Sequence, residues 1–254
     1  MATVLIGTSR AIRNVEDEAN NAARFEATVL LTGEGGVGRE TVARLIHERS
    51  PRARRPFVKI LGSSFTSASR DRRELLAEVN RGTMFIAEVG EMSLRSQAAL
   101  LGLLETGEIS QSADGSRGQG IDAHVIATTR SPLFGGRSRS IFRDDLYYRL
   151  NAVYIEIPPL RERSDDVPAL LDHFLLLFSK VHRRPVPEAT SGAIDRLMAH
   201  RWPGNVRELR YVAERLVLTC RDGRIDLNEL RVDVPRDTPG LHGRIGAVLH
   251  ATCD

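Results

Sequence analysis

Apolar positions along the chain alternate between two rhythms. From residue 10 to 24 they recur at helical spacing, with Ile12, Val15, Ala19, Ala22 and Ala23 on one side, which predicts an amphipathic helix. Thr28-Val29-Leu30-Leu31-Thr32 is then a short β-rich run closed by Gly33, the pattern of a buried parallel strand. Helical spacing returns in "RETVARLIHERS", through Val42, Leu45 and Ile46. The alternation continues with "RPFVKIL" as a strand, "SRDRRELLAEVN" as a helix, "GTMFIAEV" as a strand and "SLRSQAALLGLLETG" as a helix. It ends with a fourth strand, "DAHVIATTR", a short helix, "DDLYYRL", and a fifth strand, "AVYIEIP". Such an order predicts a parallel sheet covered on both faces.

After Pro158-Pro159 the pattern predicts helices only. "SDDVPALLDHFLLLFSKVH" has helix-opening chemistry in Asp165, Asp166 and Pro168. "PEATSGAIDRLMAH" and "NVRELRYVAERLVLTC" follow, with Pro203-Gly204 as the turn between them. The expected organisation is an α/β core over residues 1–159, an all-helical subdomain over 160–230 and a Pro/Gly-punctuated tail over 231–254 that reads as flexible. No internal repeat or low-complexity tract interrupts it.

Composition narrows the classes. With 254 residues and 41% hydrophobic content the chain can bury a sizeable core, and 5% aromatic content makes that core mainly aliphatic. The net charge of +3 permits nucleic-acid contact without arguing for it. Cys220 and Cys253 are too few for a disulfide framework, which fits a reducing cytoplasm. No apolar run reaches membrane-spanning length, and no signal segment opens the chain. A soluble, cytoplasmic protein is expected.

The candidate chemistry begins at "LLTGEGGVGRETVARLIHERS", residues 30–50, where a strand leads through a glycine-rich loop into a helix. Gly33, Glu34, Gly35, Gly36, Val37, Gly38, Arg39 and Glu40 are its candidate phosphate-binding residues. Backbone N–H groups of such a loop converge on an anion at a helix N-terminus. A tight turn with no ligand is the alternative. A phosphate-binding loop ends in Lys and then a hydroxyl residue, whereas this one ends in Arg39 and Glu40.

Three segments, "LLTGEGGVGRETVARLIHERSPR", "FRDDLYYRLNAVYIEIPPLRER" and "HRWPGNVREL", stand in the order of the AAA+ domain of the bacterial sigma-54-dependent transcription activators. The chain resembles that family nearly throughout, as far as Leu230. The resemblance implies a P-loop AAA+ core with a parallel sheet and a small helical lid, with ATP or ADP between them. It also implies rings of like or related subunits and a loop with the motif GAFTGA that pushes on the sigma factor.

Carried over position by position, the resemblance is uneven. Glutamate after the loop's lysine is common in the family, so Glu40 conforms, but Arg39 departs, because a planar guanidinium fans its donors differently from a compact ammonium. The family's strand ends in Asp-Glu, the Asp for magnesium and the Glu for polarising water. Here Glu88 is present and Ala87 replaces the Asp, so no metal ligand is assigned and the place of magnesium is open. Leu61 stands where an asparagine orients the glutamate. Glu88 is therefore either catalytic or a solvated strand-end carboxylate. Arg143 and Arg149 match the arginines that reach a neighbour's γ-phosphate, or else pair with Asp144 and Asp145. Arg207 matches the lid arginine that senses nucleotide, or else pairs with Glu208 or Glu214. Thr129-Arg130 keeps the family's polar sensor only in part, Trp202 reads as a packed anchor, and His47 and His124 read as structural.

The interval between "PFVKI" and "GTMF" is too short for the GAFTGA excursion and has no trace of it, so sigma-54 contact is not expected. The second inserted loop, "ETGEISQSADGSRGQG", is kept. Direct DNA binding is not supported by the residues after Leu230, and no membrane contact is expected. Three outcomes stand. One is a regulator module that binds nucleotide but hydrolyses it poorly. The second is an active ATPase with substitutes such as Glu91, and the third is an interaction remnant without nucleotide chemistry.

Overall fold

The computed structural model describes residues 3–65, 78–107, 121–130, 133, 142–220, 222–227 and 230. The expected helix over "SRDRRELLAEVN", the loop "ETGEISQSADGSRGQG" and the 231–254 tail lie wholly or largely outside these residues.

Five strands form the core sheet in the order β2-β3-β4-β1-β5: β1 (Val29–Thr32), β2 (Phe57–Leu61), β3 (Thr83–Ala87), β4 (His124–Thr129) and β5 (Val153–Glu156). All neighbours run parallel. Central strands sort their side chains by parity. Leu30, Met84, Ile86, Val125 and Ala127 face one way, into a cluster with Leu100 and Leu103 of α3 (Leu94–Thr106) and Leu146 and Leu150 of α4 (Asp144–Leu150). Val29, Leu31, Phe85 and Ile126 face the other way, against α1 (Arg10–Phe25) and α2 (Arg39–Arg49). Being buried on both faces is what makes these strands read as nearly continuous apolar runs.

Two histidines are buried inside this core, each with one ring nitrogen bonded. His47 Nδ1 lies 2.8 Å from Thr83 Oγ1, and His124 Nε2 donates to the Ala27 carbonyl at 2.9 Å.

The lid consists of α5 (Val167–His182), α6 (Ser191–Met198) and α7 (Asn205–Thr219) around a separate apolar cluster. Fully buried Trp202 donates from Nε1 to the Leu197 carbonyl at 2.8 Å, anchoring the turn into α7. The lid departs from the all-helical expectation. Glu188–Ala189 (β6) pairs in parallel with Arg224–Ile225 (β7). A pairing this short leaves no periodicity to detect, and it works by satisfying the backbone on either side of α6 and α7.

The opening of α5 departs as well. Residues Ser164–Asp166 form a 3-10 turn, and Asp166 makes no cap bond to its own helix. Its carboxylate is fully buried and accepts from Thr8 N, Ser9 N and Ser9 Oγ at 2.6, 2.7 and 2.8 Å, while pairing with Arg163 at 3.5 Å. Asp166 therefore ties the lid to the N-terminus of α1, where Ser9 caps the helix by accepting from Ile12 N.

Candidate functional site

The loop from Gly33 to Gly38 crosses from β1 to α2 at the carboxyl edge of the sheet, where open parallel sheets place their ligands. Three of its glycines have positive φ, Gly33 among them. Gly36 has φ +85°, and a Cβ there would come within 2.3 Å of the Gly204 carbonyl oxygen; Gly38, at φ +108°, turns the chain into the helix. The first turn of α2 then offers N–H groups with no intrahelical acceptor.

The lid grips the other side of the loop. Asn205, fully buried, accepts from Leu160 N at 2.7 Å and donates to Glu34 Oε2 and the Gly35 carbonyl, both at 3.1 Å. Glu34 also receives both terminal nitrogens of Arg161, at 2.7 and 2.9 Å. These hydrogen bonds, Arg161's first and Asn205's second, hold the Glu34 carboxyl below its usual pKa. Arg163 donates to the Val37 carbonyl at 3.1 Å, and Arg207 N to that of Gly36 at 3.3 Å. The loop is thus held in shape by the lid.

On the sheet side, Arg39 does not extend into open space. Its guanidinium meets Glu88 with Nη2–Oε1 at 2.6 Å and Nη1–Oε2 at 3.4 Å. Arg130 closes on the same carboxylate, with Nε–Oε1 at 2.9 Å and its backbone N–H on Oε2 at 3.1 Å. Glu88 adopts φ +58°, a strained left-handed conformation for a side chain of this kind. Burial pushes its carboxyl upward, but the bonds and charges of Arg39 and then Arg130 outweigh that and leave its pKa below the usual value. Of the two readings of Glu88, the solvated strand-end carboxylate is corrected: its side chain is only 16% exposed and doubly paired.

The neighbouring positions offer little to a cation. Leu61, 52% exposed, lies opposite Ala87 in the β2–β3 register, so neither gives an oxygen. Glu40 is held by Arg44 at 2.9 Å and Lys59 at 2.5 Å. Glu91 is exposed and does not line the cleft, so it does not stand in for the missing carboxylate. Among the described residues no group of three or more His, Cys, Asp and Glu can hold a metal ion. The magnesium site implied by the resemblance does not fit these residues.

Gly36, Gly38, Arg39, Glu40, Ala87, Glu88, Thr128, Arg130 and Arg207 come together along a cleft of about 710 Å³ between core and lid. Beside it, sharing Gly38, Thr41, Phe174 and Val206, lies a narrower slot of about 200 Å³ walled by Val4, Leu5, Ile6, Ile12, Leu170 and His173. Neither acid suggested for Arg207 takes it: Glu208 accepts from Gly204 N at 2.7 Å, and Glu214 meets His182 at 3.1 Å.

The two arginines of the third segment lie elsewhere. Arg143 pairs with Asp145 on the exposed start of α4, at 2.7 and 3.0 Å, and Arg149 is exposed near its end. Asp145, not Asp144, is the partner. Neither arginine lines the cleft.

Comparison with known proteins places the fold in a family. Residues 5–156 match the family model described as the sigma-54 interaction domain, and residues 161–242 match the AAA+ ATPase lid domain. The chain belongs to the sigma-54 interaction domain family. It is 37% identical over 239 residues to the Nif-specific regulatory protein of Azotobacter vinelandii, covering 87% of this chain and 45% of that protein. To the transcriptional regulatory protein ZraR of Salmonella typhimurium it is 37% identical over 243 residues, covering 89% and 55%. The chain therefore spans about half the length of the curated relatives it matches. Among solved structures, NtrX from Brucella abortus in complex with ATP aligns with a TM-score of 0.82 and 27% identity, over 96% of this chain and 58% of that one. The RuvB branch migration motor of Thermotoga maritima, at 18% identity and a TM-score of 0.59 over 88% and 67%, shares the fold alone.

Sequence reasoning placed the loop, Glu88 and Arg207 at this site. It missed the lid-side clamp of Arg161, Arg163 and Asn205, and the wider basic wall of Arg44, Lys59 and Arg210. The only signal for Asn205 was its place at the start of "NVREL".

Proposed function

We propose that this chain is the nucleotide-binding module of a cytoplasmic sigma-54-activator-type regulator, one that binds ATP or ADP but hydrolyses ATP poorly. The observation that carries this reading is the Arg39–Glu88–Arg130 clamp beside Ala87. The carboxylate placed to polarise water is turned onto two cations, and the adjacent position cannot hold a metal. Phosphoryl transfer depends on charge stabilisation at the transferring group, and both contributions are altered here. Binding is favoured by the built loop, the basic cleft and the apolar slot beside it, a shape that suits a base next to its phosphates. That NtrX was crystallised with ATP supports the same reading. No described helix is long and apolar enough to cross a membrane.

For sigma-54 itself, the shortness of the interval between Ile60 and Gly82 and its lack of GAFTGA support a module that does not remodel the factor alone. Residues 66–77 of that interval lie outside the described residues. The exposed Arg143 and Arg149 favour a subunit that joins a ring of like or related chains and serves a neighbour's nucleotide.

Steady-state phosphate release tests the enzymatic part. The expected rate is roughly a hundredfold or more below that of an ordinary family member. Release at an ordinary rate that Glu88→Gln abolishes would overturn the reading.

A further inference from the structure

The wall of the cleft carries six basic residues, Arg39, Arg44, Lys59, Arg130, Arg207 and Arg210, against two acidic ones, Glu40 and Glu88. Both acids are already engaged, Glu40 by Arg44 and Lys59 and Glu88 by Arg39 and Arg130. Among the described residues of the cleft a cation meets no unclaimed carboxylate, and the side chains of Ala87 and Leu61 add no donor. An anion, by contrast, meets a surplus of positive charge at the end of a helix-opening loop.

That surplus has an occupant. The Glu88 carboxylate sits in the fork of Arg39 and takes the backbone N–H and guanidinium of Arg130, the arrangement in which a phosphate oxygen would be held. With side chains 10% and 16% exposed, Arg39 and Glu88 are screened less than a surface pair. The left-handed backbone at Glu88 is part of what aims the carboxylate there.

We infer that this cleft takes a nucleoside polyphosphate without magnesium, and that its phosphates displace Glu88 from Arg39 and Arg130. Glu88 is then an internal anion that competes with the ligand. The inference rests on the nucleotide-binding reading above and specifies the ligand's form. Metal-free nucleotide is the more highly charged species, and the basic wall replaces the neutralisation that magnesium provides in other phosphate sites. Removing the competing carboxylate frees two guanidinium groups for the ligand.

The test is equilibrium binding of ADP and of a non-hydrolysable ATP analogue to the full chain, by calorimetry, in excess EDTA and in magnesium. Both ligands exclude turnover from the reading. Wild-type affinity is expected to be at least as high in EDTA as in magnesium, and Glu88→Gln to tighten it roughly three- to tenfold. A wild-type affinity that depends on magnesium overturns the inference and leaves the nucleotide-binding reading standing. Unchanged or weaker binding by Glu88→Gln, with its melting transition intact, also overturns it. No binding of either ligand in either buffer overturns both. The magnesium comparison uses the wild-type chain alone, so it decides even if the variant does not fold.

Discussion

The two sides of the phosphate loop have been treated differently. On the lid side, Asp166, Arg163, Asn205 and Arg161 form a chain of partners from the N-terminus of α1 through the loop to α7. On the sheet side, the groups that would touch phosphate and metal are either missing, as at Ala87, or turned on one another, as in Arg39 with Glu88. The contrast teaches that the hinge and the chemistry of this fold are separable. Asp166, Arg163 and Asn205 on the lid side are buried, so losing one partner there leaves another buried and unpaired. The phosphate side is a cleft lined by ion pairs, in which one pair can be exchanged for another without disturbing the apolar core.

The largest effect is expected on the hinge. Asp166→Ala strips Thr8 N, Ser9 N, Ser9 Oγ and the buried Arg163 of their shared, fully buried acceptor, and should cost about 3–5 kcal/mol. Denaturant unfolding measures it. A loss comparable to that of an exposed substitution would show that the lid is not coupled to α1 through this carboxylate.

A smaller and graded loss should follow acidification, and it separates the core from the cleft. Burial lowers the pKa of His47 and of His124, and in His124 the Nδ1 atom has no partner to receive a new proton. The unfolded chain therefore binds more protons than the folded one once pH drops below about 6.5, and stability falls in that direction. The Glu88 clamp behaves differently. Its lowered pKa keeps it ionised in this window, and its contribution is lost only in more acid solution. Melting temperatures at pH 7.5 and 5.5 should differ, with a smaller difference in His124→Gln. Equal melting temperatures would remove the histidines from the account.

The smallest effect on the fold is expected at α4. Arg143→Ala breaks an exposed, solvent-screened pair with Asp145 and should leave stability close to that of the wild type. If the arginine serves a neighbouring subunit, the same change should alter the ATPase activity of mixtures with a competent relative across mixing ratios. A flat curve with no co-assembly by size would leave Arg143 as a local helix contact.

The strand and helix order was legible because each element obeys one period over enough residues: Leu30, Met84 and Ile86 alternate with Val29, Leu31 and Phe85, and α1 repeats its apolar face throughout. The phosphate loop was legible because the glycines that its backbone requires leave a fixed spacing, and the family followed from three long segments in order. The β6–β7 pairing was not, since a strand of two residues has no period.

The sequence by itself determined which groups are present: an arginine for the loop's lysine, an alanine beside Glu88 and a leucine opposite it. Only the tertiary structure decided what those groups do to one another. Arg39 opens α2, whereas Glu88 and Arg130 follow β3 and β4, and no local pattern says that the two arginines share one carboxylate. Asp166 looked like helix-opening chemistry because Asp before Val-Pro has that local preference. The fold overrode it, because the Asp166 carboxylate is fully buried and finds its donors in the backbone N–H groups of Thr8 and Ser9, more than 150 residues away.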